Sequence, residues 1–178
     1  MLLSLVGLPG VGKSTVGRRL ARNLNVAFVD CDSVLEQRIG EPIATYFAHC
    51  GEAAFRDLEQ DLLRELVEGS AASGAVIATG GGVVVREANR RLLRERTVCV
   101  WLDARPAALL ERLGRNDRRP LLQVADPRAR LMELARQREP WYAEASSIKV
   151  AALRNVAATV AAIERALAEK TSQASGPA

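Results

Sequence analysis

Apolar residues along this chain follow two rhythms. Short unbroken runs at Leu2–Leu8, Val26–Val29, Val76–Ala78, Val98–Leu102 and Ile148–Ala151 read as strands buried on both faces. Between them, apolar positions three and four residues apart predict helices over Lys13–Leu24, Ser33–Ile39, Ile43–Gly69, Arg86–Arg94, Ala107–Leu113, Pro127–Glu144 and Val156–Glu169. In the longest of these, Phe55, Leu58, Leu62 and Leu66 mark one face. Such alternation predicts an α/β fold, a parallel β-sheet with helices on both faces, and places ligands at the C-terminal ends of the strands. Residues 1–170 then form a single domain without internal repeats. Gly114 to Asp126 is Arg-rich with little apolar pattern and predicts a mobile lid over about 112–125, while the polar and small residues of 171–178 predict a disordered tail.

The first apolar run leads directly into Gly7-Leu8-Pro9-Gly10-Val11-Gly12-Lys13-Ser14-Thr15, which matches GxxxxGK[ST]. Strand before and helix after are the context this phosphate-binding loop requires. Its glycines let successive backbone N–H groups converge on one anion at the positive end of a helix dipole. Lys13 adds a point charge for the terminal phosphates, and the Ser14 hydroxyl is suited to Mg²⁺. The loop predicts a P-loop NTPase, with a nucleoside triphosphate as one ligand.

Composition narrows the rest. The net charge of +4 and pI near 9.3 suit either nucleic acid or small anions. Aromatic residues make up only 4%, which disfavours the stacking surfaces that single-stranded nucleic acid needs. One histidine, His49, excludes a Ser–His–Asp triad built around a second one and any multi-histidine metal site. Cys31, Cys50 and Cys99 lack metal-type spacing. No apolar stretch reaches membrane-spanning length, and the N-terminus reads as strand and P-loop rather than signal peptide. These features predict a cytoplasmic protein without membrane or nucleic-acid partners.

The remaining strand ends and helices carry the candidates for an acceptor site. Phe28-Val29-Asp30-Cys31-Asp32 sets two carboxylates past the second strand. Asp32 is placed to face a γ-phosphate and metal, and equally to cap a helix starting at Ser33. The third strand ends in Thr79-Gly80-Gly81-Gly82, with no Asp for a metal. The metal shell must then come from Ser14, Asp32, water and phosphate, and the bare backbone of the glycines lets a substrate approach its N–H groups. Gly51-Glu52-Ala53-Ala54-Phe55-Arg56 contributes Arg56, which alone would read as a solvated helix residue. Arg119-Pro120-Leu121-Leu122 puts an arginine on the lid, and Arg138-Glu139-Pro140-Trp141-Tyr142 adds a planar fork suited to a carboxylate.

Taken in order, these motifs (GxxGxGKST, FxDxD, GExxFRxxE, GGG, RPLL and RxPxY) resemble those of the shikimate kinase family, to about Glu169. The resemblance implies a nucleoside monophosphate kinase-like fold with a mobile lid, and transfer of the ATP γ-phosphoryl to the 3-hydroxyl of shikimate, with Mg²⁺, by a monomer. It implies that Gly10, Val11, Gly12, Lys13, Ser14 and Thr15 wrap the phosphates, with Arg119 reaching ATP from the lid, Arg112 assisting and Arg154 beside the adenine. Asp32 would hold the ring hydroxyls, Arg56 and Arg138 the carboxylate, with Gly80 and Gly81 at the backbone and Phe47 and Phe55 against the ring. Lys13, Asp32 and Arg119 would be the catalytic residues. The chain departs from the commoner family pattern at Trp141, where Leu is frequent, and at Arg118, which could replace Arg119 at the nucleotide.

Overall fold

The structure is a computed structural model and describes residues 1–113 and 126–174. Five strands form one sheet: β1 (Leu2–Val6), β2 (Ala27–Asp30), β3 (Ala75–Ala78), β4 (Val98–Asp103) and β5 (Ile148–Ala151). Their order is β2-β3-β1-β4-β5, and every pairing is parallel. The helices are α1 (Lys13–Leu24), α2 (Cys31–Ile39), α3 (Ile43–Gly69), α4 (Glu87–Arg96), α5 (Pro106–Leu113), α6 (Pro127–Ala145) and α7 (Val156–Ala174). They form two groups, α1 with α7, and α2, α3, α4 and α6 in a run of contacts with α5 packed on α6. Strands β1 and β3 are buried at every residue, which explains their unalternating apolar runs: a sheet covered on both faces has no polar side. Leu3, Leu5, Leu20, Ile77, Leu102, Leu109 and Leu131 are fully enclosed in the core, and Cys31 and Cys99 join it as small apolar residues.

Four local differences from the pattern-based reading have physical causes. Strand β1 ends at Val6 rather than Leu8, because Gly7 turns with φ of 143° and begins the loop. Helix α2 begins at Cys31 rather than Ser33, because the Asp30 carboxylate accepts from the Asp32 N–H at 3.2 Å and caps it. Helix α3 is two segments meeting at Gly51, whose φ of 80° and ψ of 172° interrupt the helical ladder that apolar spacing alone made continuous. Helix α7 runs to Ala174, into the segment expected as a tail; the Thr171 and Ser172 hydroxyls donate to the Leu167 and Ala168 carbonyls at 2.9 and 3.0 Å. No helix of the described residues is long and apolar enough to cross a membrane.

Loops leaving β1, β2, β3 and β4 all emerge at one edge of this parallel sheet. Thr79 ties two of them: its N–H and hydroxyl both donate to the Leu5 carbonyl, at 3.2 and 2.8 Å. The candidate site is assembled on that edge.

Candidate active site

The P-loop follows β1, the middle strand. Gly7, Gly10 and Gly12 all have positive φ, which an L side chain would oppose. A Cβ on Gly7 would also lie 2.5 Å from the Leu102 carbonyl oxygen, so the loop starts pressed against the end of β4. Gly12 is the N-cap of α1 and offers no side-chain acceptor, so the first-turn N–H groups are directed out of the helix end. Lys13 is buried, and its Nζ donates to the carbonyls of Gly7 at 2.8 Å and Leu8 at 3.1 Å. The ammonium is thereby held across the loop it serves. A cleft of ≈ 400 Å³ beside the loop is lined by Gly10, Val11, Gly12 and Thr15 and, from the segment after β5, by Leu153 and Arg154. Arg154, expected beside the nucleotide, thus stands next to the P-loop although some 140 residues separate them in sequence.

Three glycines after β3 form the centre of the edge, and each lacks a side chain for a different reason. A Cβ on Gly80 would lie 2.7 Å from Glu59 Oε1 and 2.9 Å from Asp32 Oδ1. On Gly81 it would meet the Pro9 ring of the P-loop at 2.9 Å. On Gly82 it would enter the Arg56 guanidinium, 2.6 Å from Cζ. The bare strand end expected to admit a substrate therefore admits protein first: two carboxylates, the P-loop and an arginine all converge on it.

Arg56 is not the solvated residue that its position alone suggested; it is 5% exposed. Its Nη1 donates to Glu59 at 2.6 Å, and its Nη2 and Nε donate to Glu52 at 2.9 and 3.2 Å. Burial works against its charge, but Glu59 and then Glu52 outweigh burial and raise its pKa. Burial raises the Glu59 carboxyl in turn, and Arg56 only partly offsets it, with Asp32 adding repulsion. Phe47 and Phe55 pack on each other, 4.7 Å between centroids, and the guanidinium lies 5.9 and 5.4 Å from their centroids.

Arg138 comes from α6 and is likewise buried. Its Nη1 donates to the Gly81 carbonyl at 3.0 Å, and the buried Tyr142 hydroxyl donates to the same oxygen at 2.6 Å. Among the described residues no carboxylate lies within ion-pair distance of Arg138. Burial lowers its pKa, as does the positive charge of Arg56, and Tyr142 and Glu52 only partly offset the two. Burial also pushes the Tyr142 phenol up to about 12, so it stays a neutral donor. The two arginines thus differ: Arg56 is ion-paired within the protein, whereas Arg138 has neutral hydrogen-bond partners and feels Glu52 and Glu59 only at longer range.

Of the expected site residues, the structure brings Asp32, Arg56, Gly80, Gly81 and Arg138 together around the glycines, and Gly10, Val11, Gly12, Lys13, Ser14, Thr15 and Arg154 around the P-loop. The Gly81–Pro9 contact joins the two groups. Arg118 and Arg119 lie outside the described residues; Arg112 lies on α5. Asp30 is a helix cap. Sequence reading assigned no role to Glu52, Glu59 or Tyr142. Helical arithmetic could have found all three: Glu52 and Glu59 stand four before and three after Arg56, and Tyr142 four after Arg138.

The donors present suit Mg²⁺. Ser14 and Asp32 supply hard oxygens, and no group of three or more His, Cys, Asp or Glu able to hold a metal occurs among the described residues. Mg²⁺ is commonly held this sparsely, by one or two protein oxygens together with water and substrate phosphates.

Comparison with known proteins agrees with this geometry. The family model described as shikimate kinase matches residues 9–168. A shikimate kinase of Paracidovorax citrulli is 51% identical over 160 residues, covering 89% of this chain and 87% of that one. One from Aromatoleum aromaticum is 46% identical, covering 94% of each. Among solved structures, a shikimate kinase from Acinetobacter baumannii in complex with shikimate superposes with a TM-score of 0.89 at 34% identity, over 94% of this chain and 93% of that one. A gluconokinase from Sinorhizobium meliloti, 20% identical with a TM-score of 0.57, shares the fold alone.

Proposed function

The chain belongs to the shikimate kinase family, and from that premise we propose how its residues share the transfer of the ATP γ-phosphoryl to the 3-hydroxyl of shikimate. The products are shikimate 3-phosphate and ADP, on the route to chorismate and the aromatic amino acids. The observation that carries the assignment of roles is the triple-glycine strand end, which puts two buried arginines, two carboxylates and the P-loop within contact of three consecutive residues.

The P-loop amides of Gly10 to Thr15 receive the phosphates, and Lys13 moves its donors from the loop carbonyls to the terminal phosphates. Mg²⁺, held through Ser14 and Asp32, would neutralise phosphate charge when bound. Arg154 lines the nucleotide side, and Arg119 reaches ATP from the lid. The shikimate carboxylate binds between Arg56 and Arg138. An anion there supplies the ion-pair partner that Arg138 lacks among the described residues, while Glu59 and Glu52 keep the Arg56 fork fixed. Gly80 and Gly81 form the floor beneath the ring, and Phe47 and Phe55 the wall. Asp32 orients the attacking hydroxyl and accepts its proton. Most of the rate enhancement then comes from positioning and from charge stabilisation in a site shielded from water. We further read the protein as a cytoplasmic monomer without nucleic-acid or membrane partners.

The experiment is an ADP-release assay with ATP, Mg²⁺ and, in separate arms, shikimate, gluconate, AMP or no acceptor. Release with shikimate alone is expected. Release only with gluconate or AMP would keep the phosphate-binding half and overturn the roles of Arg56, Gly81 and Arg138.

A further inference from the structure

The three-glycine segment raises a problem of order. Consecutive glycines impose little on their own peptide planes, so the direction of each carbonyl and each N–H must be set from outside. The Gly80 carbonyl is set locally, accepting from the Val83 N–H at 3.2 Å, and the Gly82 carbonyl from Val85 at 3.0 Å. The Gly81 carbonyl has no such local partner. Its bonds come from α6, 57 and 61 residues away, through Arg138 and Tyr142.

We propose that Tyr142 is a positioning residue for the acceptor: its hydroxyl fixes the Gly81 carbonyl, and through that shared oxygen the Arg138 guanidinium. The inference rests on reading Arg138 as a contact of the shikimate carboxylate. Tyr142 holds the shorter of the two bonds, 2.6 Å against 3.0 Å, and it is itself fixed by burial and by packing on Trp101 at 5.9 Å between centroids. An arginine hydrogen-bonded to an unanchored glycine carbonyl would swing with the peptide. Anchored by a second donor, the oxygen becomes a rigid post, and the rest of the guanidinium faces a constant direction.

The chemistry of the donor matters as much as its position. A carboxylate placed to orient Arg138 directly would consume the charge that an anionic substrate needs. The phenol orients Arg138 through a shared acceptor and leaves it without a direct ion pair among the described residues. Both goals are met only by a neutral donor with a rigid stem. The other arginine follows the opposite plan, oriented directly by Glu59 and Glu52 at the expense of its net charge.

The test compares Tyr142→Phe, Arg138→Lys and the double variant in the full-length enzyme, with shikimate and ATP varied separately and shikimate binding followed calorimetrically without ATP. Losing one hydrogen bond to a fixed acceptor predicts that Tyr142→Phe raises the shikimate KM and Kd roughly five- to tenfold. The ATP KM should change less than about twofold, because the ring and its packing remain. In the Arg138→Lys background the same change should add little, since the fork it positions is gone. A KM effect equal on both substrates, full additivity in the double variant, or an unchanged shikimate KM would each overturn the proposal. If Arg138→Lys itself leaves shikimate binding intact, it is the underlying reading of Arg138 that fails instead. Should Tyr142→Phe fold poorly, Trp101→Phe, which loosens the tyrosine ring without removing its hydroxyl, should give a smaller rise confined to shikimate.

Discussion

Replacing Gly82 with alanine adds a single methyl group where the structure has no room for one. Its Cβ would sit 2.6 Å from Arg56 Cζ, against the roughly 3.4–4 Å of an ordinary contact, so the guanidinium must retreat by about 1 Å. The end of an arginine usually yields easily, but this one is buried and held on two sides by Glu59 and Glu52. Retreat by that distance turns a 2.6 Å bond into one near 3.6 Å, beyond useful hydrogen bonding. Losing one charge-assisted bond in a buried setting costs about 2–3 kcal/mol. If that loss falls on the acceptor site, kcat/KM for shikimate drops on the order of 30- to 150-fold. Thermal stability falls by about 4–12 °C at this chain length. The ATP KM should stay within about twofold, because Gly81, not Gly82, contacts the P-loop. Steady-state assays with each substrate varied, together with thermal melts, measure all three. A Gly82→Ala enzyme with near-normal shikimate kinetics and melting temperature would show that Arg56 is not confined as described. So would an unchanged penalty in the Arg56→Ala background, where the clash is gone.

Three further outcomes are expected. Lys13→Ala and Asp32→Ala each lower kcat by on the order of 10²-fold or more, and near-normal turnover in either would remove that residue from the chemistry. Gly7→Ala, which meets the Leu102 carbonyl in a left-handed conformation, should raise the ATP KM while leaving calorimetric shikimate binding without nucleotide close to wild type; a defect in both would contradict this. Burial raises the Glu59 pKa above its ordinary 4.5, so the folded state holds that proton more tightly than the unfolded chain. Its contribution to stability is therefore full below that value and lost as pH rises through the raised one; Glu59→Gln should flatten the melting-temperature profile above about pH 4.5, and a profile of unchanged shape would refute the assignment.

The P-loop was legible because its function depends on local backbone geometry, which glycine spacing encodes directly. The parallel sheet was legible because strands covered on both faces show no polar alternation. Register and the α3 break were harder. Apolar spacing on either side of Gly51 remains in phase, so only the backbone angle reveals the interruption. The triple glycine was read as a bare surface for substrate, since sequence cannot say which side chains from about 20 to 70 residues away fill the space. Arg56 posed the same difficulty, because a lone helical arginine is ordinarily exposed and its burial depends on carboxylates from its own helix and a glycine from another element. Asp32 was ambiguous between cap and site until Asp30 took the capping bond.

The position of β1 in the sheet has a consequence for how the protein comes into being. Its two neighbours are β3 and β4, so Leu2 waits for Ala75 and Leu3 for Val98 before either edge is hydrogen-bonded. During synthesis β1 emerges before the other four strands and stays unpaired on both sides until β3 and β4 have followed it, and the P-loop lacks its support from Leu102 over the same interval. Nucleotide is therefore not expected to act as an early folding template for this chain. A fragment ending at Thr97 should be aggregation-prone and bind no ATP by calorimetry, and saturable ATP binding by it would show that β1 and its loop assemble independently of β4.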